Sequence, residues 1–176
     1  QALGLCNLHF ECLDMDQHEL KGQYDLIVAT HTLLQAEQDP GLPSYDWQDF
    51  TRAVDNRVQS DFEQRTRVGL RLDRLRHVLA EHARMIVFEK TRQLARRVPF
   101  QRALAARGLL LLAPPEPIRY RSIEEVTDDG PLYVTGVGRS ANVLSWDESP
   151  EPDGFPPLNV EQLRVVRVDP DQPQAG

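Results

Sequence analysis

Apolar residues along this chain fall into two kinds of pattern, short continuous runs and longer stripes at helical spacing. Leu26-Ile27-Val28-Ala29 is the most compact run, with Tyr24-Asp25 before it and Thr30-His31-Thr32 after it. A run this short with β-branched residues inside it predicts a strand buried on both faces, Tyr24–Thr30. Met85-Ile86-Val87-Phe88, closed by Glu89, predicts a second strand over Arg84–Glu89, and Leu109–Leu112 and Leu132–Val137 predict two more. Asn7–Leu13 alternates instead, with Leu8, Phe10 and Cys12 on one side and His9 and Glu11 on the other, and reads as a half-buried strand. Between the runs the period changes. Trp47, Phe50, Val54, Val58 and Phe62 follow one another at spacings of 3, 4, 4 and 4 and form one stripe of a helix over Tyr45–Gln64. Leu72, Leu75, Val78 and Leu79 predict a helix over Leu70–His82. Leu94, Val98 and Leu104 predict another, which Thr91 can cap, Pro99 bends or interrupts and Gly108 ends. Asp39-Pro40-Gly41, Pro114-Pro115 and Asp129-Gly130 carry turn chemistry.

Strands alternating with helices predict an α/β fold with a mostly parallel sheet. The last two strands have no long helix between them, so they are expected to pair as an antiparallel terminal hairpin. In open α/β sheets ligands bind beyond the carboxyl ends of the strands. That places Thr30, His31 and Thr32 where a reaction site would lie, whereas Asp25, at the other end of its strand, reads as structural.

Composition narrows the picture. The 176 residues suffice for one domain with a core. A formal charge of −7 argues against a broad nucleic-acid-binding face, and the arginines between Arg92 and Arg107 read as a solvated helix face. Two cysteines build neither a disulfide framework nor a four-ligand zinc site, so no metal is expected. No apolar run approaches the ~20 residues of a membrane span, and the thiols fit a reducing, cytoplasmic setting. Residues 139–176 read as a linker and C-terminal extension: Ser145 to Pro157 is rich in Pro, Asp, Glu and Ser, and Leu158 to Val168, β-branched at its end, could add a late edge strand. The chain opens on Gln1 with little before its first strand-like segment, which suggests a piece of a longer protein.

Five segments, in order, carry a family resemblance: Phe10-Glu-Cys-Leu-Asp-Met-Asp16, Tyr24-Asp-Leu-Ile-Val-Ala29, Leu72 to Glu89, Phe100-Gln-Arg-Ala-Leu-Ala-Ala-Arg-Gly108 and Pro131-Leu-Tyr-Val-Thr135. Together they resemble the carboxyl-terminal part of a class I S-adenosylmethionine-dependent methyltransferase, over about residues 3 to 138. The nearest type is the methyltransferase domain embedded in polyketide and nonribosomal peptide synthases, which has a Glu-x-Thr after its fifth strand, here Glu89-Lys90-Thr91. The resemblance implies a Rossmann-like methyltransferase fold whose N-terminal strands are absent from this chain, with residues 1–138 forming the domain and about 36–70 inserted as a helical lid. It implies S-adenosylmethionine as cofactor, with Asp14, Met15 and Thr30 on the cofactor side and one of Asp14 and Asp16 accepting from the adenine amino group. Thr32, Trp47 and Phe50 fall on the substrate and lid side. His31 with Glu89 forms the expected base pair, an imidazole being suited to proton removal near neutral pH.

The implied reaction is methyl transfer to a small-molecule or carrier-tethered acceptor. The family's glycine-rich loop and the acidic end of its second strand have no counterpart here. The family's usual histidine aligns with Leu34, three residues beyond His31, and its Pro-Gly-Gly turn is replaced by Glu81-His82-Ala83. These departures imply that the rest of a parent chain, or a partner protein, completes the N-terminal half, and that this chain alone binds the cofactor weakly or not at all. They also keep a second reading open, a methyltransferase-like scaffold or protein-binding module without catalysis. A dinucleotide-binding α/β domain is a third.

Overall fold

The computed structural model describes residues 9–34, 41, 56–122, 125–138, 143, 144 and 146. Within them the chain forms β1 (Tyr24–Thr30), α1 (Asn56–Thr66), α2 (Val68–Val78), β2 (Leu79–Phe88), α3 (Leu94–Ala106), β3 (Leu110–Leu111), β4 (Glu116–Ser122) and β5 (Glu125–Gly136). The strands join into one mixed sheet of order β1-β2-β5-β3, with β4 pairing β5 as a hairpin. Only β1 and β2 are parallel; β5 runs antiparallel to β2, β3 and β4. The fold is therefore α/β, and the expected antiparallel pairing of the last two apolar runs is present. The expected mostly parallel sheet is not found among the described residues, because β5 inserts between β2 and β3 and reverses the direction of every pairing it makes.

Strand alternation and register sort the sheet into two faces. Ala29, Met85, Val87, Leu111 and Tyr133 point to one side and join Phe62, Leu72, Leu75, Val98, Phe100 and Leu104 of the three helices in a single core. Leu26 and Val28 point to the other side, beside Arg84 and Ile86 of β2, and are 55% and 58% exposed. The expectation that β1 is buried on both faces is thus corrected: one face is packed and the other is open.

Three more expectations shift. Residues 9–13 of the Asn7–Leu13 segment are not a strand; Phe10 is 88% exposed, and no described strand pairs with β1 on that side. The helix expected to reach His82 ends at Val78, because Leu79 already pairs with Tyr24. Asp129-Gly130 is not a turn but lies within β5: Ile118 pairs Gly130 and Arg119 pairs Asp128, so Asp129 is the extra residue of a bulge. Pro99 lies inside α3, which continues through it. Its missing N–H leaves the Ala95 carbonyl without its helical donor. Gly41 packs there, so closely that a Cβ on it would meet Ala95 O at 3.0 Å.

Candidate functional site

β1 and β2 are parallel, so their carboxyl ends reach the same edge of the sheet. β1 ends at Thr30, paired with Phe88, and the chain then turns sharply. His31 takes a left-handed backbone, φ 51°, a region that costs a β-carbon residue about 1 kcal/mol. Its N–H donates to the Phe88 carbonyl at 2.9 Å, which continues the β1–β2 ladder by one bond. The ring packs edge-on against Phe88 with centroids 5.0 Å apart, and Nε2 lies 3.4 Å from the Asp129 carboxylate.

The β5 bulge is what brings Asp129 there. As the extra residue of the bulge it is turned out of the ladder, and its carbonyl accepts from the N–H groups of Thr91 at 2.7 Å and Arg92 at 2.9 Å. Gly130 (φ 119°) permits this approach, since a Cβ on it would lie 2.7 Å from the Arg92 nitrogen. Thr91 also sits beside Tyr133, whose hydroxyl accepts from Gln101 at 3.4 Å. Burial pushes the Tyr133 phenol up to about 12.

Glu89, the other half of the expected base pair, does something else. It is fully buried. Its Oε1 accepts from the N–H groups of Thr32 and Leu33 at 2.8 Å each, and its Oε2 from that of Leu34 at 3.2 Å. Burial pushes the carboxyl above its ordinary range, while the three N–H groups and the Arg71 charge pull it back. The carboxylate facing the His31 ring is that of Asp129, so the pairing read from the sequence is corrected; Glu89 instead anchors the backbone that follows His31.

The acidic turn lies on the neighbouring side. Asp14 is exposed and closes an Asx turn, accepting from Asp16 N–H and from the Gln17 amide, both at 2.8 Å. Asp16 is gripped by Arg71 of α2, with Nε and one terminal nitrogen each 2.8 Å from a carboxylate oxygen. The Arg71 bond holds the Asp16 carboxyl below its ordinary range. Arg71 is itself buried, and its remaining nitrogen donates to the Leu33 carbonyl at 2.9 Å. Arg74 donates to the carbonyls of Met15 and His18, and Met15 packs against the core. Thr30 and Thr32 are exposed at the sheet edge.

The structure therefore brings His31, Thr30, Thr32 and Glu89 to one edge and ties the Asp14–Asp16 turn to it through Arg71. Trp47 and Phe50 lie outside the described residues. The end of their stripe does not: Phe62 is fully buried and Val58 packs against the core, so this part of the segment belongs to the domain interior. Two residues of the site were missed. Arg71 stands on the same stripe as Val68, Leu75 and Val78, and a charge on an apolar stripe signals a buried partner. Asp129 gave no such signal, because Asp-Gly chemistry serves a turn and a bulge alike. Among the described residues no group of three His, Cys, Asp or Glu could hold a metal, and no helix is long and apolar enough to cross a membrane. No family model, no curated protein and no solved structure matches this chain.

Proposed function

We propose that this chain carries the acceptor-side part of an S-adenosylmethionine-dependent methyltransferase of Rossmann-like fold, acting on a small-molecule or carrier-tethered acceptor. The observation that carries the reading is the His31–Asp129 pair at the carboxyl edge of the parallel strands. Asp129 faces Nε2 and favours the tautomer protonated there, which leaves Nδ1 to take a proton. The ring is one-third exposed, enough for an acceptor to reach it. Bound cofactor supplies an electrophilic methyl group. His31 would remove the proton from the acceptor's nucleophilic atom, and Asp129 would hold the imidazole in place and stabilise its charged form.

The adenine end of the cofactor fits the acidic turn. Asp14 is exposed, and a carboxylate offers about four acceptor positions, of which its two bonds within the turn leave room for an amino group. The methionine end and the ribose have no such support in the sequence, which lacks the family's glycine-rich loop.

The test is a titration of isotope-labelled protein with S-adenosylmethionine to millimolar concentration, followed by amide chemical shifts. Weak binding with perturbations at residues 14–16 and 30–32 is expected; unmoved shifts there defeat the proposal. In the protein that contains this chain, His31→Ala is expected to slow methyl transfer by about 10²- to 10⁴-fold. A second reading, a methyltransferase-like module that binds a partner, is favoured by the open face of β1, where Tyr24, Leu26 and Val28 form an exposed apolar row.

A further inference from the structure

Arg71 touches both turns of the site. Two of its nitrogens hold the Asp16 carboxylate, each at 2.8 Å, and the third donates to the Leu33 carbonyl at 2.9 Å. Leu33 is fully buried, and its N–H is held by Glu89. Both polar groups of that peptide segment are therefore committed to charged side chains, one from α2 and one from the end of β2. Asp16 in turn donates its N–H to Asp14 Oδ1, so the orientation of Asp14 follows that of Asp16. The resulting chain runs from Asp14 through Asp16, Arg71 and Leu33 to His31, with the guanidinium at its centre. A guanidinium is planar and rigid, so rotation about its stem to follow the Asp16 carboxylate also moves the nitrogen that holds Leu33. Glu89 holds the N–H groups of Thr32, Leu33 and Leu34 together, so the segment between His31 and the Leu33 carbonyl moves as one unit.

Resting on the reading above, we propose that Arg71 is a positioning residue that couples the Asp14–Asp16 turn to the His31–Leu34 turn, so that an adenosyl cofactor seated on the first sets the base on the second. Arg71 itself touches neither cofactor nor acceptor. A strut of this kind makes the conformation of one turn depend on a residue confined to the other. Asp16 shares no hydrogen bond or ion pair with residues 31–34, yet its loss frees Arg71 and with it Leu33. Arg67 also reaches Asp16, at 3.6 Å, but from an exposed position and without the bond to Leu33, so it serves as a control.

The experiment is amide hydrogen exchange on the whole chain. In Asp16→Asn and in Arg71→Lys, exchange at Leu33 and Leu34 is expected to accelerate about tenfold or more, while Met85 and Val87 in the sheet keep their protection. Arg67→Asn, chosen because asparagine accepts the left-handed backbone of that position (φ 58°), is expected to leave Leu33 and Leu34 unchanged. Adding S-adenosylmethionine at millimolar concentration to the wild-type chain is expected to slow exchange at both amides; in Arg71→Lys the cofactor still perturbs Asp14 but no longer slows them. Normal exchange at Leu33 and Leu34 in Asp16→Asn overturns the coupling, as does an equal cofactor effect in Arg71→Lys. A transmitted effect of Asp16→Asn with no response to S-adenosylmethionine in the wild-type chain overturns the cofactor assignment while the link between the turns stands.

Discussion

Single buried polar groups decide how the site edge is built, and Glu89 is the clearest. A carboxylate at full burial is costly unless its lone pairs are used, and here three consecutive N–H groups use them. In Glu89→Gln the amide oxygen can still accept from Thr32 and Leu33, but its nitrogen then faces the Leu34 N–H, donor against donor. A loss of about 1–3 kcal/mol is expected in chemical denaturation at neutral pH. The pH dependence has a definite sign. Burial raises the folded carboxyl above its ordinary value, so in the window between the two the folded state holds the proton more tightly than the unfolded one. Stability from this group is present below that window and declines as pH rises through it; Glu89→Gln is expected to flatten the decline. Tyr133 works in the same sense at the alkaline end. Its phenol is pushed up to about 12 from an unfolded value near 10, so its contribution falls as pH rises from 10 to 12. By the top of that range the fall is about 2 kcal/mol. Tyr133→Phe is expected to remove that slope, measured by denaturant midpoints across the alkaline range. An unchanged slope shows that Tyr133 does not set it.

At the scale of elements, the apolar runs foretold β1, β2, β3 and β5 because a continuous run of that length has few other uses in a small domain. The same reasoning failed for residues 9–13. Alternation describes a strand's faces and says nothing of whether a neighbour exists to take its hydrogen bonds, and here no described strand offers itself. The bulge at Asp129 was hidden for a related reason: it depends on the register between β4 and β5, which is a property of two segments and not of either alone. Helix packing shows one more device that the periodicity did not reveal. Arg107, just past the end of α3, reaches Glu63 of α1 at 2.9 Å and Asp73 of α2 at 2.7 Å, and also donates to the Ala103 carbonyl. Gly69 makes room for this clasp, since a Cβ there would lie 2.9 Å from the guanidinium and 2.7 Å from Glu63. The sequence reading placed Arg107 among solvated arginines, yet its side chain is only 12% exposed. Arg107→Met keeps the length and loses every bond, leaving Glu63 half-buried without its partner. Destabilisation of about 2–4 kcal/mol is expected from the thermal midpoint; a shift of only a few tenths of a kcal/mol places the pair with ordinary surface ion pairs.

On the scale of the molecule, the described residues form a mixed sheet with helices packed on one face and an apolar strand at its β1 border. Parallel strands are ordinarily covered on both faces, and Leu26-Ile27-Val28-Ala29 has the composition of such a strand. Here Ala29 is buried and Ile27 partly so, while Tyr24, Leu26 and Val28 on the opposite side are 48%, 55% and 58% exposed. No described strand pairs with the outer edge of β1. An apolar row on an unpaired parallel edge promotes association with any surface that can take its hydrogen bonds and cover its side chains. Both functional readings use this face, one for the half of the domain that holds the cofactor and the other for a partner protein. The chain by itself is therefore expected to self-associate as its concentration rises, read by sedimentation velocity. The double change Leu26→Thr with Val28→Thr puts a β-branched residue that suits a strand at both positions and removes apolar surface only where it faces solvent. It is expected to shift the chain toward monomer while the thermal midpoint stays within a few degrees, because neither side chain contributes to the buried core. A wild-type chain that stays monomeric at high concentration shows that this face is not adhesive. A double variant that loses its thermal stability shows instead that Leu26 and Val28 are packed against something within the molecule, and that the open face is closed in solution.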